Sequence, residues 1–241
     1  MVPLRAGNSR RSPPAGDSRG RVALACVAWA AVHSVLAARP SKALAARLAG
    51  PRIRDGCYRA GYVALSTALS IGFVRWFNRL PDRELYRVQP PWSWLLHAVQ
   101  ALSLGWLCAG IGAAGFGRST GASQLRALLH GGRPEPEPED QGPPLVADAL
   151  VVRGPFRISR HPNNLVALPF FWLMPRMTVN RATLAAMASV YAVLGSLHEE
   201  ARLLRAYGAA YRRYQRRVPF LVPLPNAAGC TTKARRTQRI D

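Results

Sequence analysis

The sequence predicts an all-α fold: an integral membrane bundle of about five transmembrane helices, followed by a basic amphipathic helix near the C-terminus. Three observations predict it. Only 19% of the 241 residues are charged, and that charge is clustered. The intervals between clusters are long and apolar, and a hydrocarbon core about 30 Å thick takes roughly 20 apolar helical residues to cross. The Arg residues flank those intervals, as positive charge does in membrane proteins.

Taken in order, residues 1–20 are rich in Arg, Ser, Pro and Gly and read as a disordered basic N-terminus. With 22–38 they resemble a signal peptide, but the tail is long and no good cleavage site follows, so the segment reads as an anchor. Residues 21–117 hold three transmembrane helices, with apolar intervals at 22–38, 60–77 and 91–117. Arg75 is placed to snorkel to the headgroups. Trp92, Trp94 and Trp106 suit the interfaces.

Residues 118–150 read as an aqueous loop. Its centre, GGRPEPEPEDQGPP at 131–144, carries Glu135, Glu137, Glu139 and Asp140. Alternating Pro and Glu favours an extended, solvated linker. Residues 151–223 follow as the region that carries chemistry. There 164–175 is apolar but short, and 182–198 is a weaker span. Together they predict a hairpin that turns around 174–181. Residues 224–241 read as a disordered basic tail. The dense positive charge after His198 predicts a cytoplasmic C-terminus in a bacterial inner membrane.

The formal charge is +21. A basic patch would suit a nucleic acid. Arg residues that flank apolar spans are better explained by anionic headgroups, so the expected partner is the bilayer and no nucleic acid. Cys26, Cys57, Cys108 and Cys230 form no CxxC and lie at no metal spacing, so they read as small buried hydrophobes and no metal site is expected.

Two segments carry candidate site residues. The first, RGPFRISRHP at 153–162, precedes an apolar helix, with Pro162 suited to its first turn. Arg157, Arg160, His161 and the positive end of that helix form either an anion site or a flank that only sets topology. The second is 198–219. At 100° per residue, Glu200, Leu204, Tyr207, Tyr211, Tyr214 and Val218 share one face. Arg202, Arg205, Arg212, Arg213 and Arg216 share the opposite face, and such a helix commonly lies along a membrane surface. Glu200 is a carboxylate on the apolar stripe, with Glu199 at its edge. Burial there needs a partner, which is either a ligand site or a structural salt bridge to an Arg.

These pieces carry a resemblance. GPFRISRHP, the hairpin with MPRMT, and HEEARLLRAYGAAYRRYQRRVPFLVP together resemble the C-terminal half of the isoprenylcysteine carboxyl methyltransferase superfamily. That superfamily includes membrane phospholipid methyltransferases and bacterial methanethiol S-methyltransferases. MPRMT looks most like the last of these. WAAVHSVLAARPSK, with Trp29, His33, Ser34 and Lys42, is similar to the opening of the methanethiol enzymes and of a related denitrification-associated membrane family. The strong likeness covers about 150–223.

The resemblance implies S-adenosylmethionine as cofactor, bound at the cytoplasmic end of the last helices. It implies Glu199, Glu200 and His161 as catalytic residues. Arg157, Arg160, His161, Pro162, Asn164, Glu200 and Tyr211 would line the cofactor pocket, and Gly208, Tyr211 and Tyr214 match the tail motif. Asn164 stands where the family often has Tyr, so no ring is offered to the adenine. The implied acceptor is small or lipophilic, of thiol or prenylcysteine carboxylate type. A thiol needs a base, because the thiolate is the nucleophile. His161 or a Glu would serve, while His33 and His97 are either substrate-side groups or packed histidines. Two alternatives are a non-catalytic scaffold of the same family and a fold-related reductase using a nicotinamide.

Overall fold

The structure is a computed structural model, and it describes residues 18–137, 145–146 and 149–222. The predicted disordered termini, Cys230, Glu139 and Asp140 lie outside the described residues, apart from the few end residues already within helices.

The elements run α1 (Arg19–Ala37), α2 (Arg39–Ala49), α3 (Pro51–Phe77), β1 (Glu84–Arg87), α4 (Trp92–Ala114), α5 (Phe116–Thr120) and α6 (Ala122–Leu129). Then come β2 (Leu145–Val146), β3 (Ala149–Leu150), a 3-10 turn at Gly154–Arg157, α7 (Pro162–Leu165), α8 (Ala167–Trp172), β4 (Arg176–Thr178) and α9 (Val179–Arg217). Prolines punctuate the first three helices: Pro40 and Pro51 sit in the first turns of α2 and α3, where a missing N–H leaves nothing unpaired. Thr178 caps α9 by accepting from the Arg181 N–H at 3.2 Å.

The fold is mostly helical, and α1, α3 and α4 are long and apolar enough to cross a membrane. They present large apolar side chains outward, among them Leu24, Val35, Ile71 and Leu102. That is the pattern of a helix whose surroundings are apolar on both sides.

The predicted hairpin is present. Its arms run antiparallel: Asn164 Nδ2 donates to Ser196 Oγ at 2.8 Å and Trp172 Nε1 to Ser189 Oγ at 2.9 Å. The first arm is short. From Pro162 to Trp172 it rises only about 16 Å as helix, against a core of about 30 Å. So the expectation of five full spans rests on an arm too short to be one.

Three further expectations are corrected. The fold is not purely helical: β1 pairs antiparallel with β4 under the hairpin turn, and β2 pairs with β3. The Pro-Glu linker is not fully solvated, because Glu137 is buried between Lys42, at 3.2 Å, and Arg59, at 2.8 Å. Asp55 holds the same residue by its backbone, accepting from the Glu137 N–H at 2.9 Å. The two facing cations offset the cost of taking this carboxylate out of water. The cysteines are not buried hydrophobes throughout. Cys26 and Cys57 are half-buried, and Cys108 is exposed on the outward side of α4.

Candidate active site

The basic amphipathic helix predicted at 198–219 is not one helix. Gly208 takes φ 49° and ψ −117°, a conformation open to glycine, and breaks α9 there. In a straight helix, residues 200 and 211 would stand about 16 Å apart. The break folds the terminal turns back. Tyr211 Oη then donates to Glu200 Oε1 at 3.2 Å, and Gln215 Nε2 donates to Glu200 Oε2 at 2.9 Å. Leu203, Tyr211, Tyr214 and Val218 close into a buried apolar cluster around this contact.

The hairpin brings the RHP segment to the same place. Arg160 Nε donates to Glu200 Oε1 at 2.5 Å, while its Nη1 donates to the carbonyls of Gln215 at 3.0 Å and Val218 at 2.7 Å. Its guanidinium also lies over the Phe220 ring. His161 sits between the two carboxylates: Nδ1 is 3.3 Å from Glu199 Oε2, and Nε2 is 3.3 Å from Glu200 Oε1. Tyr214 Oη donates to the Phe156 carbonyl at 2.7 Å, which ties the end of α9 to the 3-10 turn.

The electrostatics follow from this geometry. Burial by itself would lower the His161 pKa, but Glu199 and Glu200 outweigh it and hold the imidazole above its ordinary value. Burial would raise Glu200, yet His161 and Arg160 bring it down to about 2. Burial and the Glu200 charge push the Tyr211 phenol up, so it remains a donor.

Two cavities flank the cluster. One, of about 40 Å³, is walled by Arg160, His161, Asn163, Asn164, Glu199 and Tyr211, with other residues behind them. The other, of about 130 Å³, lies between α1, α3 and α9, with His33, Tyr62, Tyr191 and Arg202 on its walls. Asn164 and Glu199 border both.

The predicted residues thus divide. Arg160, His161, Asn164, Glu199, Glu200 and Tyr211 come together. Pro162 is buried behind them, its carbonyl accepting from Trp106 Nε1 at 3.1 Å. Arg157 does not join: it is exposed and, among the described residues, reaches the Val152 carbonyl at 3.4 Å. The reading of 153–162 as an anion site loses support, since α7 has only 4 residues and Arg160 is committed to Glu200 and two carbonyls. His97 is exposed beside Gln100, away from both cavities. Arg202, placed by periodicity on the face opposite the apolar stripe, lines the larger cavity and donates to the Ala37 carbonyl at 3.2 Å.

Sequence reasoning missed Ser196, Gln215, Tyr62 and Tyr191. Ser196 had a signal, being one turn before Glu200 on the same face. Tyr62 and Tyr191 had none, because only packing sets them opposite His33. Among the described residues, no group of His, Cys, Asp and Glu stands ready for a metal ion.

No family model matches the chain, and no solved structure matches it significantly. Part of it is similar to curated proteins. It is 37% identical over 68 residues to the methanethiol S-methyltransferase of Pseudomonas deceptionensis, covering 28% of this chain and 26% of the relative. It is 40% identical over 68 residues to methanethiol S-methyltransferase 2 of Bradyrhizobium diazoefficiens, again 28% and 26%. Against the methanethiol S-methyltransferase of Mycobacterium tuberculosis it is 38% identical over 71 residues, 30% and 29%. The likeness spans a little over a quarter of those relatives and supports a distant, partial relationship to methanethiol S-methyltransferases.

Proposed function

We propose that this chain is an integral membrane methyltransferase that uses S-adenosylmethionine and methylates a small or lipophilic thiol. The observation that carries the reading is the shared wall: Asn164 and Glu199 separate two cavities, one that would take one end of a donor and one that would take a small acceptor. Similarity to the methanethiol enzymes supports the same reaction class.

The smaller cavity, about 40 Å³, has room for only one end of such a donor, to which Glu199 and Asn164 would offer a carboxylate and an amide. Asn163 Oδ1 is buried without a hydrogen-bond partner and is turned to α4, where a Cβ on Gly110 would stand 2.2 Å from it. When bound, S-adenosylmethionine supplies an electrophilic methyl on a sulfonium centre. Glu199 offsets the positive charge from the shared wall. His161 orients Glu199 through its Nδ1 contact. Arg160, Glu200 and Tyr211 fix His161 and the returning end of α9. Methyl transfer is an in-line displacement, so positioning and charge placement supply most of the rate.

In this reading α9 adds a fourth crossing. Its segment from residue 179 to 197 rises about 28 Å as a helix, enough for a hydrocarbon core. The short arm α7–α8 packs inside the bundle, and the site lies at the cytoplasmic ends. Carbonate extraction checks the membrane part, with the protein expected in the pellet. For the reaction, the purified protein in detergent is given tritiated S-adenosylmethionine with methanethiol, a farnesylcysteine analogue and phosphatidylethanolamine in parallel. Labelled methyl on methanethiol is expected. Transfer to the lipid amine alone would overturn the thiol reading. Retention of a reduced nicotinamide in place of the sulfonium would point to a reductase, and donor retention without any turnover to a scaffold.

A further inference from the structure

The larger cavity holds a hydrogen-bonded chain that the donor site does not use. His33 stacks on Trp29, with ring centroids 4.7 Å apart and planes within 12°. Its Nδ1 lies 3.3 Å from Ser66 Oγ and 3.1 Å from Tyr62 Oη, and its Nε2 is hydrogen-bonded to Tyr62 Oη. With Nδ1–H donated to Ser66, Nε2 is left as the acceptor of the Tyr62 hydroxyl. Across the cavity, Tyr191 Oη pairs with Ser34 Oγ at 3.2 Å and its ring meets Trp29 edge-on. Helices α1, α3 and α9 each contribute to this arrangement, so it exists only in the folded bundle.

We propose that this cavity is the acceptor pocket and that Tyr62 and His33 remove the acceptor's proton, an inference that rests on the methyl-transfer reading above. The other ionisable groups on the wall are already engaged. Lys42 and Arg59 face Glu137, and Glu199 faces His161. His198 reaches the rim but is exposed. The pocket volume of about 130 Å³ suits a ligand of a few heavy atoms, as an apolar cavity of about 150 Å³ takes benzene in another protein. A prenyl chain would extend beyond it.

The step balances. The thiol S–H donates to Tyr62 Oη while the Tyr62 proton passes to His33 Nε2, leaving an imidazolium and an unchanged phenol. The sulfur lone pair forms the new S–C bond. The old bond between methyl and the sulfonium sulfur breaks, and its electron pair returns to that sulfur, which becomes a neutral thioether. His33 then returns its proton to water. Tyr62 is the catalytic residue here, since it would touch the substrate. His33 drives the proton away through it.

The test uses the full chain in detergent, with His33→Gln, Tyr62→Phe and, as a control, His198→Gln. Without acceptor, retention of labelled donor should match wild type in all three. Methylation of methanethiol at neutral pH should fall about 100-fold or more in the first two, the size of a lost general base. It should recover at alkaline pH, where solvent ionises the thiol, an outcome that a merely structural role for these residues would not produce. Independently of turnover, methanethiol added to ¹⁵N-histidine-labelled protein without donor should shift the His33 ring resonance, while methanol should not. Full neutral-pH activity of both variants overturns the proposal. So does loss without alkaline recovery, loss in His198→Gln alone, or a His33 resonance that thiol leaves unmoved. If wild type transfers no methyl to any acceptor, the function above fails, and the resonance still decides whether the pocket takes a thiol.

Discussion

Tyr211 donates a hydrogen bond to Glu200 at 3.2 Å although 11 residues of one helical segment separate them. Only the break at Gly208 permits it, because a straight helix would hold the pair about 16 Å apart. The site is therefore built on a glycine that touches nothing: a Cβ there would meet no atom within 4 Å. Gly208→Ala should thus act through the backbone alone. A side chain at φ 49°, ψ −117° costs about 1–3 kcal/mol. Thermal melts should show that loss, and donor retention should fall with it as Tyr211 and Gln215 leave Glu200. An unchanged melt would mean that the break has another cause.

The two adjacent carboxylates should behave differently. Glu200 is bound by Arg160, His161, Tyr211 and Gln215. Glu200→Gln would leave Arg160 and His161 facing a neutral amide, and breaking a buried ion pair costs about 3–5 kcal/mol. Stability and methyl transfer should both drop. Glu199 has its wall on both cavities. Glu199→Gln should lower transfer by about 100-fold or more with a smaller loss of stability. Chemical denaturation alongside the labelled-methyl assay separates the two, and the reverse ranking would exchange their roles.

His161 sets a pH dependence. Its pKa is raised, so its ion pairs with Glu199 and Glu200 stabilise the protein fully below the ordinary imidazole range. That contribution is lost as pH rises through the higher folded value. Melting temperature in detergent should therefore decline on the alkaline side of neutrality, and His161→Gln should flatten the decline. Glu200 acts in the opposite direction, its contribution being lost only as pH falls toward about 2. An alkaline decline that persists in the variant would assign it elsewhere.

Two glycines test the packing of the N-terminal half. Gly121 has φ 81°, and a Cβ there would stand 2.4 Å from the Ala60 backbone nitrogen. Backbone cannot yield as a side chain does, so Gly121→Ala should destabilise by about 3 kcal/mol, combining overpacking with left-handed strain. Gly72 lies inside α3 with nothing within 4 Å. Gly72→Ala should be neutral or stabilise by up to about 1 kcal/mol. Melts of the two variants, compared side by side, check the contrast.

Glu137 tests the linker. Its carboxylate is the shared partner of Lys42 and Arg59, all three side chains being buried. Glu137→Gln should destabilise by about 3 kcal/mol or more. A fully solvated linker would show almost no change.

The sequence by itself determined the long apolar helices, the hairpin, and the kinds of side chain gathered at 157–164 and 199–214. These depend on local composition, and a run of apolar residues in helical register has few other ways to satisfy its backbone. It also placed His161 and Glu200 at the two ends that a hairpin joins, and they lie 3.3 Å apart. Tertiary structure decided the rest. Helical periodicity extended 198–219 as one helix and put Arg202 on the face opposite Glu200, because period carries no information about a break at a single glycine. Composition read 131–144 as solvated, because it cannot see two cations, Lys42 and Arg59, waiting on α2 and α3. The partners of His33 come from residues 29 and 33 positions further along the chain. Contacts at that separation are fixed by how helices pack, which no local pattern encodes.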